Sequence, residues 1–365
     1  MNINLTAPIN SLGYGNVGVN IMRALDAAGV CVSWWPIGQP EPNVVNENVE
    51  LIERCFKNRV SYDQDAPSIR IWHQFDLAQH IGKGPRFGFP IFELDKFNDV
   101  ELHHLKNQDA LFVCSEWAKE VIKENGIETP TYVIPLGVDR NTFTVDEKAK
   151  EHELCRDNPT VFVNIGKWEY RKGHDVIPLV LEQALGIDEN YLLIMMNSNP
   201  FIKEEQTKEW ESFYRNKLGD HVRFVERVDT ASEVAYIMNM ADCGIFPSRA
   251  EGWNLELLEM MACGKHVIAT NYSAHKDFCN NENCMLVEVD SLEPAFDGVF
   301  FNDEDFDGRW GVTDSYKQID QMVDYVKEIH KMKQDGSLGI NVAGLKTAEQ
   351  FSWNNSAKKI IDCVF

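Results

Sequence analysis

The sequence predicts an α/β protein with two domains, each built on a parallel β-sheet covered by helices. Short apolar runs of strand length alternate with helical segments, which is the pattern of a parallel sheet that is buried on both faces. The alternation occurs twice, and a polar stretch near 140–158 separates the two series. The 365 residues are long for one domain and sufficient for two. We therefore expect domains over 1–150 and 151–345, followed by a C-terminal helix within 346–365.

The first series begins with a strand at Ile3–Ala7, followed by a glycine-rich loop and a helix over about Val17–Ala28. Ser115 has the side chain of an N-cap, which predicts a helix that runs to about Asn125. The other strands of the series are predicted at Cys31–Trp35, Ser68–Trp72, Phe87–Ile91, Ala110–Val113 and Thr131–Ile134.

The second series continues the same alternation of strand and helix. Its strands are predicted at Thr160–Ile165, Tyr191–Met196, Val222–Val225, Cys243–Phe246 and Val267–Thr270. Its helices are predicted at Asp175–Ala184, Trp210–Leu218, Ala231–Met240 and Leu255–Ala262.

Composition and charge exclude several classes of protein. Hydrophobic residues make up 44% and charged residues 25%, as in a soluble globular protein. With 35 basic and 57 acidic residues the net charge is −22, which disfavours binding to nucleic acid or anionic lipid. No apolar run approaches the roughly 18 residues of a membrane helix, and the first ten residues lack the features of a signal peptide. Nine cysteines without a CxxC pair indicate a reducing, cytoplasmic location and no zinc site.

Gly13, Gly15 and Gly18 form a GxGxxG pattern after the first strand. The pattern is typical of dinucleotide binding, but five residues separate the strand from the first glycine. The second strand is followed by Pro36 and Ile37, where a ribose-binding acid is expected. We interpret Gly13 and Gly15 instead as donor-binding positions, where backbone amides at a helix N-terminus approach an anionic ligand.

The most informative stretch is 243–278, an apolar strand followed by Pro247-Ser248 and Glu251-Gly252-Trp253. Seven residues separate Glu251 from Glu259, and Gly264-Lys265-His266-Val267 follows. This pattern resembles the retaining glycosyltransferases of family 4, which include sucrose synthase and bacterial mannosyltransferases. His266 stands where that family usually has proline. Further similar segments are Val113–Trp117, Val133–Asp139, Val163–Lys167, Lys172-Gly173 and Phe351–Trp353.

The resemblance implies the GT-B arrangement, two Rossmann-like domains that face each other across a cleft, with the final helix crossing back to the first domain. It also implies metal-independent transfer of a sugar, with retention at the anomeric carbon, from a UDP- or GDP-linked donor. No cofactor is implied. The acceptor would be a saccharide, a lipid-linked molecule or a protein.

Residue roles follow from the same resemblance. Lys167 and Lys172 would neutralise the leaving diphosphate, because without a metal the site must supply fixed cations. The family usually has arginine at the position of Lys167, and Arg171 could compensate for the missing fork. Glu251 would bind sugar hydroxyls and Glu259 the ribose. The start of the following helix would bind phosphate through free amides, at Gly252, Trp253, Asn254 and Leu255.

The first domain offers two candidates for the residue that faces the reacting sugar. Glu93 lies in the segment FPIFELDKF, which resembles a loop of some family members where Glu replaces His. It is a candidate acceptor contact or general base. His73, at the end of an apolar run, is the other candidate, and the pattern does not decide between them.

Two alternatives remain open at this point. Asp-x-Asp pairs at 63/65, 303/305 and 305/307 are compatible with a metal-dependent glycosyltransferase of the other major fold. A protein that binds nucleotide sugars without turnover is the second alternative. Asp303, Asp305 and Asp307 also have the spacing that opens an EF-hand calcium loop, with Asp314 at its twelfth position. A solvated acidic loop is the simpler interpretation of that segment.

Overall fold

The computed structural model describes residues 1–301 and 308–365, and the chain divides into two compact units. The first unit consists of Met1–Asp139 together with Phe351–Phe365, and the second of Arg140–Gln350. The sequence-based boundaries at 150 and 345 therefore differ from these divisions by 11 residues (150 − 139) and 5 residues (350 − 345). The predicted calcium ligands Asp303, Asp305 and Asp307 lie outside the described residues.

The first unit contains a six-stranded parallel sheet in the order β2-β1-β3-β4-β5-β6. Its strands are β1 (Asn2–Ala7), β2 (Cys31–Pro36), β3 (Ser68–Ile71), β4 (Arg86–Phe89), β5 (Ala110–Val113) and β6 (Thr131–Val133). Its helices, before the chain enters the second unit, are α1 (Gly13–Ala27), α2 (Pro42–Glu47), α3 (Val49–Lys57), α4 (Asp99–Lys106) and α5 (Glu116–Glu124). Ser115 caps α5 as predicted, because its side chain accepts the Ala118 N–H at 3.1 Å.

The predicted glycine-rich loop is wrong, because α1 already begins at Gly13. A Cβ on Gly15 would lie 2.2 Å from the Asn10 carbonyl oxygen, and one on Gly18 would lie 2.4 Å from that of Pro8. Contacts this short are forbidden to a side chain, so both glycines let α1 pack directly on the segment that follows β1. Gly13 has open space where its Cβ would be.

The second unit also contains a six-stranded parallel sheet, in the order β12-β11-β10-β7-β8-β9. Its strands are β7 (Thr160–Gly166), β8 (Tyr191–Asn197), β9 (Val222–Phe224), β10 (Cys243–Phe246), β11 (His266–Thr270) and β12 (Met285–Val287). Its helices are α6 (Ile177–Leu185), α7 (Glu204–Leu218), α8 (Ala231–Met240), α9 (Leu255–Ala262), α10 (Tyr316–Gln334) and α11 (Val342–Gln350). A short antiparallel pair, β13 (Leu292–Pro294) and β14 (Arg309–Gly311), follows the sheet.

The core of the second unit lies between the central strands and the helices that cover them. Phe162 of β7 and Leu193 of β8 are fully buried in one apolar cluster with Val180 of α6 and Val326 of α10. Every residue of Thr160–Ile165 and Tyr191–Met196 is buried, so both faces of these strands are covered, which explains why they read as continuous apolar runs rather than alternating ones. None of the helices in the described parts of the chain is both long and apolar enough to span a bilayer.

The last helix, α12 (Trp353–Val364), belongs to the first unit and packs against α1. The Val138 N–H donates to the Phe351 carbonyl at 3.0 Å, and the Ser356 hydroxyl donates to the Pro135 carbonyl at 2.6 Å. A Cβ at Gly137 would lie 2.1 Å from the Trp353 nitrogen, so only glycine fits here. The segment around 135–138 therefore holds the start of this helix.

Candidate active site

Two loops at the carboxyl edge of the second sheet bring the predicted site residues together. β7 and β10 are neighbouring parallel strands, and each ends in a loop at the same edge. The loop after β7 carries Lys167 and Lys172, and the loop after β10 carries Glu251. This edge is where open α/β sheets bind their ligands.

The Glu251 carboxylate is the centre of the arrangement. Its Oε1 accepts hydrogen bonds from Lys172 Nζ at 2.9 Å and from Ser248 Oγ at 2.8 Å. Its Oε2 accepts a hydrogen bond from Arg171 Nη1 at 2.9 Å, and its backbone N–H donates to Ser273 Oγ at 2.8 Å. The side chain is almost completely buried and is held from several directions, so its position is fixed.

Lys172 is also buried, and Glu251 is its counterion. Burial lowers the pKa of the ammonium, but the carboxylates of Glu251, Glu256 and Glu169 together outweigh it, so the pKa of Lys172 is raised. The ion pair has the opposite effect on the pKa of Glu251. Burial raises the pKa of the Glu251 carboxyl, but Lys172 and Arg171 together lower it by more, so this pKa lies well below its usual range. Both groups are therefore charged throughout the physiological pH range.

Arg171 joins the two loops through their carboxylates. Its Nη1 donates to Glu251 Oε2 and to the Ala250 carbonyl at 2.7 Å, while its Nη2 donates to Glu169 Oε2 at 2.6 Å. From the sequence, Arg171 is a candidate substitute for the missing arginine at 167. In the structure, the carboxylates of Glu169 and Glu251 occupy both ends of its guanidinium fork.

Lys167 is more exposed than its neighbours and pairs with Glu169 at 2.5 Å. Its ammonium also lies 4.7 Å from the centre of the Phe300 ring. Sequence reasoning missed Glu169, a buried carboxylate between two cations. The alternation of charge in Lys167–Lys172 was the available signal.

Gly173 explains how the two loops fit together. It has a positive φ of 72°, and a Cβ there would lie 2.3 Å from the Pro247 carbonyl oxygen. Only glycine allows this approach between the loops after β7 and β10. Next to it, His174 is fully buried, and burial lowers its pKa to about 3. Its Nδ1 therefore accepts a hydrogen bond from the Glu169 N–H at 3.1 Å.

The start of α9 is fixed by Asn254, which has a left-handed backbone with a φ of 81°. Its Oδ1 accepts the Leu257 N–H at 3.2 Å, and its Nδ2 donates to His275 Nε2 at 2.9 Å. His275 Nδ1 in turn donates to the Thr270 carbonyl at 3.0 Å. The sequence predicts Asn254 at this helix start but gives no sign of His275, because the contact depends on tertiary packing.

The other donor-binding positions predicted in the second unit lie in the same region, whereas Gly13 and Gly15 lie at the start of α1 in the first unit. Gly252 and Trp253 are buried, with the indole of Trp253 packed 4.9 Å from the Phe278 ring, and Leu255 is the first residue of α9. Glu259 lies one helical turn further on and is partly buried. Its side chain has no hydrogen-bond partner among residues 1–301 and 308–365. Burial and the nearby Glu256 raise its pKa to about 8.

Arg249 links the loop after β10 to the segment that follows β7. Its fully buried guanidinium pairs with Asp175 through two hydrogen bonds of 2.8 and 2.9 Å and lies 3.7 Å over the Tyr170 ring. It also lies 3.3 Å from Asp314, the residue considered above as a calcium ligand. Asp314 thus has an arginine partner in the described structure.

The first unit places both of its candidates at the carboxyl edge of its own sheet. His73 follows β3, and its ring lies 4.6 Å from that of Tyr14 near the start of α1. The Tyr14 hydroxyl donates to the Ile91 carbonyl at 2.8 Å, and burial, with a contribution from Glu93, raises its pKa. Tyr14 therefore interacts with both candidates, and the geometry does not decide between them.

Comparison with known proteins decides the class. Residues 145–295 match the family model of glycosyl transferases group 1. Across the whole chain, the fold is similar to that of sucrose-phosphate synthase from Thermosynechococcus elongatus, with a TM-score of 0.73 and 16% identity over 100% of this chain and 98% of that one. The protein is a GT-B glycosyltransferase.

Other solved structures share this fold at similarly low identity. HepE of Anabaena, solved in complex with UDP-glucose, gives a TM-score of 0.70 at 14% identity, covering 100% of this chain and 99% of that one. WaaG, a glycosyltransferase involved in lipopolysaccharide biosynthesis, gives 0.64 at 12% identity over 100% and 99%. The search of curated proteins gives no match.

These matches confirm the predicted fold class of the glycosyltransferase and show that the alternative of the other major fold is wrong. Within residues 1–301 and 308–365, no group of three or more His, Cys, Asp and Glu side chains is placed to hold a metal ion.

Proposed function

We propose that this glycosyltransferase moves a hexosyl group from a nucleoside diphosphate sugar, UDP- or GDP-linked, to an acceptor hydroxyl with retention and without a metal. The proposal rests mainly on the buried cations of the loop after β7, beside the start of α9. HepE, which has the same fold, was solved with UDP-glucose, and this supports a nucleotide-sugar donor.

The chemistry requires stabilisation of the leaving diphosphate. When the bond between the anomeric carbon and the phosphate oxygen breaks, negative charge develops on that oxygen. Lys172 spends one of its three N–H groups on Glu251, which leaves two for diphosphate oxygens. The ion pair fixes the ammonium in place and keeps it charged before substrate binds, which is the preorganisation that electrostatic catalysis needs. Lys167 and the backbone amides at the start of α9 would add to it.

The other predicted roles fit around this centre. Glu251, held by Lys172 and Arg171, would present a carboxylate edge to sugar hydroxyls, as in the family 4 pattern. Glu259, with no hydrogen-bond partner among the described residues, would accept hydrogen bonds from the ribose hydroxyls. In the first unit we propose Glu93 as acceptor contact or base. The acceptor would be a saccharide, a lipid-linked molecule or a protein, and the cysteine pattern supports a cytoplasmic location.

A nucleotide-release assay with UDP-, GDP- and ADP-linked sugars tests the proposal. We expect release of one nucleoside diphosphate that increases when a suitable acceptor is added, and that continues in EDTA. A thermal-shift screen with the same nucleotides identifies the base, because a ligand at 100 times its dissociation constant adds about 2.7 kcal/mol to stability. Turnover that stops in EDTA and returns with manganese would contradict metal independence.

A further inference from the structure

A second cavity of the second unit lies at the opposite edge of its sheet from the candidate active site. Its volume is about 380 Å³. Pro159, Asp242 and Lys265, which line it, immediately precede β7, β10 and β11. These are the amino ends of the strands, whereas Lys172 and Glu251 follow the carboxyl ends. The cavity therefore belongs to a different surface of the same unit.

Three lysine side chains converge on this cavity, from three separate parts of the chain. Lys150 Nζ lies 2.6 Å from Asp242 Oδ1, and Lys333 Nζ lies 3.2 Å from the same oxygen. Lys265 also lines the cavity. The two carboxylates in the lining are those of Asp242 and Glu147. The lining therefore has three ammonium groups against two carboxylates, an excess of one positive charge.

Lys265 is the informative member of this cluster. It is 7% exposed, and its Nζ makes one hydrogen bond, to the Asn239 carbonyl at 2.9 Å. Two of its three N–H donors thus have no protein partner in the described part of the chain, and no carboxylate forms an ion pair with it there. Burial and the repulsion from Lys150 lower its pKa to about 8. Burying an ammonium without a counterion is costly, so an anion bound in this cavity would stabilise the charged form of Lys265.

We infer that this cavity is a binding site for a phosphate dianion, either free or carried by a small metabolite such as a hexose phosphate. Ammonium donors from Lys150, Lys265 and Lys333 would surround the anion. The size is that of a small-molecule site. In a chain of net charge −22, exposed surfaces repel anions, so such a cluster of cations is a specific feature.

The test measures binding of inorganic phosphate and of glucose 6-phosphate to the full chain by calorimetry at pH 7 and constant ionic strength. The wild type, Lys265→Met, Lys333→Met and Lys172→Ala are compared, with Lys208→Met as control because Lys208 is an exposed lysine of α7. We expect millimolar or tighter binding that falls at least tenfold in Lys265→Met and Lys333→Met. It should be unchanged in Lys208→Met and in Lys172→Ala, whose lesion is in the donor site.

The two ligands distinguish the sources of the phosphate group. Equal affinity indicates free phosphate, and tighter binding of glucose 6-phosphate indicates a phosphorylated metabolite. If Lys265→Met does not fold, Lys333→Met carries the test, because the side chain of Lys333 is more exposed. Absence of binding to the wild type overturns the inference. Loss of binding in Lys172→Ala with retention in both Met variants also overturns it, because the anion would then occupy the donor site.

Discussion

The carboxyl edges of the two sheets hold their candidate residues in different ways. In the second unit, Lys172, Arg171 and Glu251 are buried and fix one another through ion pairs. In the first unit, His73 and Glu93 are only partly buried, and the His73 ring packs on that of Tyr14. Buried charges require matched partners, so few sequences can form the charged arrangement of the second unit. An aromatic surface tolerates many sequences. This explains why motifs identified the candidate residues of the second unit clearly but did not decide between His73 and Glu93 in the first.

The largest effect is expected at the charged edge. Lys172→Ala removes the cation that we propose for the leaving diphosphate, so we expect kcat to fall about 1,000-fold, as on removal of one preorganised donor to a developing charge. The folded structure should persist, since Glu251 keeps Arg171 and Ser248 as donors. Steady-state kinetics measure the change, with Lys208→Ala as matched control. Turnover near that of the control would remove Lys172 from the donor site.

Glu251 tests whether the charged edge also stabilises the fold. Glu251→Ala leaves Lys172 and Arg171 buried with less compensation, and breaking a buried pair costs about 3 kcal/mol or more. Glu251→Gln keeps the shape and part of the hydrogen bonding, so we expect a smaller loss of stability with a similar loss of activity. Urea unfolding of both variants measures this. Equal stability of Glu251→Ala and the wild type would contradict the proposed network.

The sequence predicts the elements that have a clear local pattern more accurately than those that lack one. The strand Cys243–Phe246 and the helix Leu255–Ala262 have their predicted ends, because apolar runs bounded by loop residues define them. The start of α7 at Glu204 was missed by six residues, since its first turns are polar and exposed. His275 was missed because its contact with Asn254 joins segments that are 21 residues apart. Glu169 pairs with Lys167 and Arg171 in its own loop, and the alternation of charge there was the only local signal for it.

The aromatic edge is tested by comparing its two candidates. If Glu93 is the base, Glu93→Gln removes proton transfer and should lower kcat about 100-fold, with little change in KM for the donor. His73→Phe keeps the ring that packs on Tyr14 and should change kcat less. The pH dependence of kcat for both variants separates a base from a packing residue. The opposite ranking would assign the role to His73.

Glu259 gives the smallest effect on activity and a distinct effect on stability. Above pH 8, where the Glu259 carboxyl is ionised, Glu259→Gln loses the charged acceptor that we propose for the ribose, so we expect the nucleotide Kd measured at pH 9 to rise about tenfold, the value of one charge-assisted hydrogen bond. The raised pKa of about 8, against an ordinary value of 4.5, also makes the folded state favour the protonated acid. That stabilisation is complete below pH 4.5 and is lost as the pH rises through about 8. The difference in unfolding free energy between Glu259→Gln and the wild type should therefore grow in favour of the variant over this range. Urea unfolding at pH 5, 6.5 and 8 measures it, and parallel curves for the two proteins would show that the Glu259 carboxyl is not shifted.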